Sequence, residues 1–299
     1  APVVLSPFDP ATVYAGGKHL FRSRDRGTTW EDLGDMTTGV DRSKLPVMGR
    51  LPDENVLSVD DGVPFYPGLV AIAPSPLQKG LLYVGTDDGR LRMSVDDGKT
   101  WTDLQDRLPG APKSSWFGGI EASRHSAGTV YVAMDNHRSN DLGNWIYKSS
   151  DAGKTFTSIS GDMPPGRVVR TIREDVKNPN LLFAGTEIGL FFSPNGGANW
   201  IELKNNMPTL PFNDLVIHPR DNDLVLASHG RGIWILDKIN ALQELTPQVI
   251  GSAAHLFTVA PAYQIRQTNL KAHTGDMWFR GDNPANGALV DYWIGTPGV

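Results

Sequence analysis

Hydrophobic residues in this chain fall in short runs separated by glycine-, proline- and aspartate-rich breaks, and the runs recur. Five are alike: Thr12-Val13-Tyr14-Ala15-Gly16, Leu81-Leu82-Tyr83-Val84-Gly85, Thr129-Val130-Tyr131-Val132-Ala133, Leu181-Leu182-Phe183-Ala184-Gly185 and Leu224-Val225-Leu226-Ala227. Each is β-rich, and each ends in a small residue. Runs of this length bounded by turn formers predict strands rather than helices. Aligned on Tyr14, Tyr83, Tyr131, Phe183 and Val225, they lie 69, 48, 52 and 42 residues apart. A four-stranded propeller blade takes about 40–50 residues. Each interval therefore predicts one antiparallel sheet of strands a to d, and the long first interval predicts an insertion at about 31–68.

In the second unit the predicted strands are a (Leu69 to Pro74), b (Leu81 to Thr86), c (Arg90 to Ser94) and d (Thr100 to Leu104). Strand a of the later units falls at Gly119 to Ser123, Val168 to Glu174 and Asp214 to His218. Strand a should line a central channel and d the rim, since radial repetition of sheets protects their edges.

A second repeat reinforces the first. An octamer of pattern S-x-D-x-G-x-T-W/F follows four of the five runs: Ser23 to Trp30, Ser94 to Trp101, Ser149 to Phe156 and Ser193 to Trp200. In the last copy Asn195 replaces Asp and Asn199 replaces Thr. An Asp side chain can hydrogen-bond backbone amides two residues on, and Gly supplies a positive φ. The octamer is expected to build the c–d turn, with its Trp packed between blades. Asp25, Asp96, Asp151 and Asn195 are accordingly structural, not catalytic.

The reading is an all-β chain: about five propeller blades over residues 1–250, then closing strands and the first strands of a β-sandwich over 251–299. Asp237 is expected to cap a helix, Lys238 to Leu245, stopped by Pro247; further strands are expected at Ala254 to Val259 and Ala262 to Arg266.

These octamers resemble the Asp-boxes of BNR-repeat propellers, a group that includes sialidases, xyloglucanase-type glycosidases and the sortilin/VPS10 proteins. The runs SPLQKGLLYVGTDDGRLRMSVDDGKTW, REDVKNPNLLFAGTEIGLFFS and LVIHPRDNDLVLASHGRGIWILD are most similar to large secreted bacterial proteins called sortilin-like or glycosyl hydrolase BNR proteins. The resemblance covers residues 1–240. It implies a propeller whose ligand lies on the face opposite the Asp-boxes, and it leaves the activity open, because one fold hosts many functions.

Composition narrows the function. The 299 residues carry a net charge of −5 without a Lys/Arg block, which argues against nucleic acid as a partner. There are no cysteines, which excludes thiol chemistry and disulfides. No apolar run reaches membrane-spanning length. The expected location is secreted or periplasmic.

Strand alternation puts the b–c turns and d–a loops on the face opposite the Asp-boxes. Just after each b strand stand Lys18, Asp87, Asp135, Glu187 and His229. The d–a loops add acidic Asp61 and aromatic Tyr66, Trp116, Phe117 and Phe212, and the third b–c turn adds His137 and Arg138. These residues fit ordinary turn chemistry. They also fit a binding surface for a protein, peptide or glycan, with His229, Arg231 and the aromatics as contacts. A third reading is a glycoside hydrolase drawing a carboxylate pair from Asp61, Asp87, Asp135 and Glu187, a chemistry that needs carboxyls roughly 5–10 Å apart. The binding or scaffold protein is the main reading and the hydrolase its alternative. Arg170 and Arg173 fall on opposite faces of one strand by simple alternation, so only one should face the channel. No cofactor is expected; a Ca2+ contact at Asp87-Asp88, or a metal at His137 with Asp135 and Asp141, fits no ordered ligand set closely. Five blades with no closing strand would leave open sheet edges, so another chain or further blades of the same protein are expected to complete the ring.

Overall fold

A computed structural model describes residues 1–46, 50–55, 66–204, 206–262 and 287–295. Blade one is β1 (Val3–Leu5), β2 (Val13–Gly16), β3 (His19–Ser23) and β4 (Glu31–Asp35). Blade two is β5 (Leu69–Pro74), β6 (Leu82–Thr86), β7 (Leu91–Ser94) and β8 (Thr102–Asp103). Blade three is β9 (Trp116–Ala122), β10 (Val130–Asp135), β11 (Trp145–Ser149) and β12 (Thr157–Ser158). Blade four is β13 (Val169–Glu174), β14 (Leu182–Thr186), β15 (Gly189–Ser193) and β16 (Ile201–Glu202). Each is an antiparallel meander in sequence order. Blade five has three strands among the described residues: β17 (Phe212–Ile217), β18 (Leu224–Ser228) and β19 (Ile233–Leu236). This is a β-propeller arrangement, with β5, β9, β13 and β17 as successive inner strands. Because β4 already ends at Asp35, the insertion into the first interval begins after that strand rather than at residue 31.

The b strands are buried on both faces, as in β6, β10 and β14, which is why they read as continuous apolar runs. Their small last residues have a packing cause. A Cβ on Gly85 would lie 2.6 Å from Phe117 Cβ, and one on Gly185 would lie 2.6 Å from the Phe212 carbonyl oxygen. At Gly16 the same added atom would lie 2.8 Å from Leu69 Cβ. The inner strand of the next blade thus presses directly onto the b strand. Ala133, the bulkier member of the series, shares a core cluster with the smaller Val169.

The Asp-box turns are closed by side chains. In the second copy, Gly98 N donates to Ser94 Oγ (2.8 Å), Thr100 N to Asp96 Oδ1 (2.9 Å) and Thr100 Oγ1 to Asp96 Oδ2 (2.7 Å). The Asp bond therefore spans four residues rather than two. The other copies repeat the pattern, Asn195 accepting from Asn199 N at 2.9 Å. These hydrogen bonds hold Asp25, Asp96 and Asp151 ionised, at about 2. The aromatic that ends the box is buried in Phe156 and Trp200, but Trp30 is 47% exposed, so it does not pack between blades as expected.

After blade five the expected helix is shorter and begins later. Lys238 adopts φ +52, α1 is Asn240–Glu244, and no side chain caps it. Pro247 does not merely stop it: it opens α2 (Pro247–Ile250), where Thr246 caps the end by accepting from Val249 N, a position that tolerates a missing N–H. Gln243 in α1 donates to Asp175 and Asn222, tying the segment to blades four and five. β20 (Ala254–Leu256) pairs with β21 (Tyr292–Ile294). The expected strand at Ala262 to Arg266 lies almost wholly outside the described residues, and no described helix is long and apolar enough to cross a membrane.

Candidate functional site at the channel mouth

The inner strands of blades two to five each carry a β-bulge near their beginning, whereas β1 of blade one pairs with β2 in unbroken register. Ladder pairing skips Val70 between Leu69 and Ala71, Arg170 between Val169 and Thr171, and Asn213 between Phe212 and Asp214. In β9 the skipped pair is Phe117 and Gly118. A bulge leaves its extra residue outside the ladder and re-aims it. Val70, Gly118, Arg170 and Asn213 all line one cavity of about 750 Å3 at the mouth of the channel. The residues just after the b strands complete it, with Asp135, Glu187 and His229 on its wall.

Arg170 organises the charges there. Its guanidinium donates to Asp135 of blade three and to Glu187 of its own blade. Asp135 Oδ1 also accepts from His137 N at 2.9 Å and faces His137 Nδ1 at 2.7 Å. The bulge also overturns the simple alternation of Arg170 and Arg173. Arg173 pairs with Asp214 (2.6 Å) and lies 3.8 Å from Glu121, both on neighbouring inner strands. The extra residue brings both arginines to the channel side, at different depths.

A second, smaller cavity of about 200 Å3 adjoins the mouth and shares Trp116, Asp135 and Arg138 with it. Its other walls include Asp87, Tyr66, Arg42 and Lys113. Arg138 lies over the Trp116 ring and Arg42 over the Tyr66 ring, each 4.8 Å from the centroid. Asp87 is buried, and its Oδ1 accepts from Gly68 N at 2.7 Å. Burial, reinforced by neighbouring Asp88, raises its carboxyl to about 6 against that hydrogen bond. Burial likewise pushes the Tyr66 hydroxyl up to about 12.

The structure therefore brings together Asp87, Asp135, Glu187, Tyr66, Trp116, His137, Arg138 and His229. It does not bring in Phe117 and Phe212. Each is 1% exposed and sits in a core cluster beneath its bulge, as the wedge against Gly85 or Gly185. Arg231 is exposed on the β18–β19 turn and lines neither cavity. Lys18 pairs with Asp35 at 3.3 Å, and Asp61 lies outside the described residues. Asp141 accepts from Trp145 Nε1 (3.0 Å) and Asn136 Nδ2 (3.1 Å) rather than joining His137. Asp88 is taken up by Thr38 and Thr86. Among the described residues no group of three His, Asp or Glu has a metal-holding arrangement. Sequence reasoning missed Arg42 and Lys113, which stand in loops that no repeat aligns.

Comparison with known proteins agrees with this architecture. The BNR-Asp box repeat family model matches residues 20–33. A xyloglucanase of Hypocrea jecorina is 28% identical over 176 residues, 54% of this chain and 20% of that protein. Among solved structures, an ancestral GH74 enzyme superposes with a TM-score of 0.54 at 17% identity, over 76% of this chain and 27% of its own. The GH74 xyloglucanase of Xanthomonas campestris gives 0.54 at 12%, over 79% and 36%. The Cps50 (Swd1) β-propeller domain of Myceliophthora thermophila gives 0.53 at 10%, over 83% and 68%. At these identities the structural matches establish the propeller fold. The chain spans about a fifth of the xyloglucanase and about a third or less of the GH74 enzymes.

Proposed function

We propose that this chain carries the glycan-binding mouth of a glycoside-hydrolase-like propeller working outside the cell. The observation that carries the reading is a pair of carboxyl groups in contrasting environments on one aromatic-walled cavity. Asp87 is buried and keeps its proton to about 6, while Asp135 sits against the Arg170 guanidinium. Glycosidases divide labour in this way, one carboxyl donating a proton to the leaving oxygen and an ionised partner acting on the opposite side of the sugar. Asp87 is then the proton donor, and Asp135, which shares the Arg170 guanidinium with Glu187, the partner carboxylate. Trp116 and Tyr66 supply apolar walls for a sugar ring, each with an arginine guanidinium over one face. The similarity to a xyloglucanase supports the same reading.

A second reading is binding without turnover. Arg170 engages both Asp135 and Glu187, and a carboxylate so fully paired is a poor nucleophile or base and a good fixed contact. Release of reducing ends from a panel of soluble polysaccharides, measured alongside binding, separates the two. The hydrolase reading expects release that falls at least about 100-fold in Asp87→Asn and Asp135→Asn with binding retained. Binding without release would leave only the second reading standing.

A further inference from the structure

Arg138 has no role in the acid–base scheme, yet it stands on the wall between the two cavities. Among the described residues its guanidinium takes no hydrogen bond or ion pair, and it stacks on the Trp116 ring, 4.8 Å from the centroid. A guanidinium stacked on an indole leaves its in-plane N–H edge free, the geometry that grips a carboxylate through two parallel hydrogen bonds. Lys113 brings a further ammonium to the same cavity. The carboxylates facing Arg138 are Asp87 and Asp135, and Asp135 is already matched by Arg170. An excess of cationic groups in one cavity of a chain whose net charge is −5 is a local reversal of sign, and such reversals select anionic ligands.

The lining is mixed, and that narrows the ligand. Asp87 and Asp135 are acceptors suited to hydroxyl donors, whereas Arg138 and Lys113 call for an anion. Hydroxyls and a carboxylate on one small ring meet both demands; an acidic peptide meets only the second. We infer that the small cavity binds the carboxylate of a uronic-acid residue through Arg138 on Trp116, making the preferred ligand an acidic rather than a neutral glycan. This rests on the glycan reading above and adds the substrate class to it.

The test measures affinity by calorimetry for galacturonate, glucuronate and mannuronate oligomers, for their methyl esters, for neutral cello- and xyloglucan oligomers, and for polyglutamate. Wild type, Arg138→Gln and Arg138→Lys are compared. At least one free-acid oligomer is expected to bind at least about tenfold tighter than its ester, the loss of a charge-assisted bidentate contact being about 10- to 100-fold. Arg138→Gln should abolish that preference, and Arg138→Lys should retain part of it, which excludes general misfolding. A preference that survives in Arg138→Gln, esters that bind as tightly as acids, or polyglutamate that binds as tightly as the oligouronates would each overturn the inference. Neutral oligomers bound without discrimination would overturn it while leaving the glycan reading intact. No saccharide binding at all would end both.

Discussion

The guanidinium of Arg170, on the inner strand of blade four, clasps the carboxylate of Asp135, which ends strand b of blade three. The bond crosses a blade boundary and joins residues 35 apart in the chain. It gives the mouth part of its rigidity as well as its charge.

Among the described residues, removing that cation leaves Asp135 buried with His137 as its side-chain hydrogen-bond partner and Arg138 facing it without a hydrogen bond. Arg170→Met should destabilise the chain by about 2–4 kcal/mol, since an unpaired buried charge costs more than the pair contributes. Urea unfolding measures this, and a loss below about 0.5 kcal/mol would show the clasp to be ornamental. Arg170→Met paired with Asp135→Asn should lose less than the two single losses combined.

Asp87 makes the stability depend on pH in an unusual direction for a carboxylate. Its folded value of about 6 lies above the ordinary 3.8, so between these values the native state holds more proton than the unfolded chain. Stability should therefore fall as pH rises through roughly 4 to 6, by on the order of 2 kcal/mol for this group. Asp87→Asn should be the more stable protein at pH 7 and lose that advantage near pH 4. Paired thermal melts across this range decide the matter; parallel curves would show that Asp87 is not raised.

The close approach of blades at strand b predicts a sharp contrast between glycines. Gly85→Ala places a methyl 2.6 Å from Phe117 Cβ and 2.7 Å from its carbonyl oxygen, so the inner strand must shift. Overpacking of this kind costs about 1–3 kcal/mol. Gly17→Ala meets only the His19 carbonyl oxygen, at 3.9 Å, and should fall within about 0.5 kcal/mol of wild type. Equal effects in denaturant titrations would refute the packing account.

Within the Asp-box the buried Ser94 hydroxyl accepts from Gly98 N and donates to Asp96. Ser94→Ala should cost about 1–2 kcal/mol, because it orphans a buried amide, and it should leave ligand affinity unchanged, since the turn lies on the opposite face. A change in affinity measured at fixed fold would contradict that placement.

The strands were legible because blade repetition lets each weak pattern borrow support from the others: Leu82–Thr86 and Leu182–Thr186 can be aligned before either is believed. The site was half legible. Asp87, Asp135 and Glu187 occupy equivalent ends of b strands, and that equivalence is visible in one dimension. The bulges are not, because a register shift belongs to a pair of strands. Missing them placed Phe117 and Phe212 on the ligand face and split Arg170 from Arg173. Position alone could have corrected the first error, since Phe117 and Phe212 align with core residues Leu69 and Val169. Arg42 and Lys113 had no such aid: their loops have no counterpart in other blades, so only the fold brings them to the cavity.

The four bulged positions, Val70, Gly118, Arg170 and Asn213, are held by the backbone around them and answer to no partner in the ladder. At Val70 and Asn213 selection can therefore rewrite the mouth one side chain at a time without reopening the question of folding, whereas at Arg170 any change of ligand chemistry also loosens the clasp on Asp135. Blades two to five behave as a keyboard, each contributing a key whose location is set by the backbone. A valine, a glycine, an arginine and an asparagine spell one chord, and a library varied at Val70 and Asn213 would sample ligand chemistries on an unchanged frame.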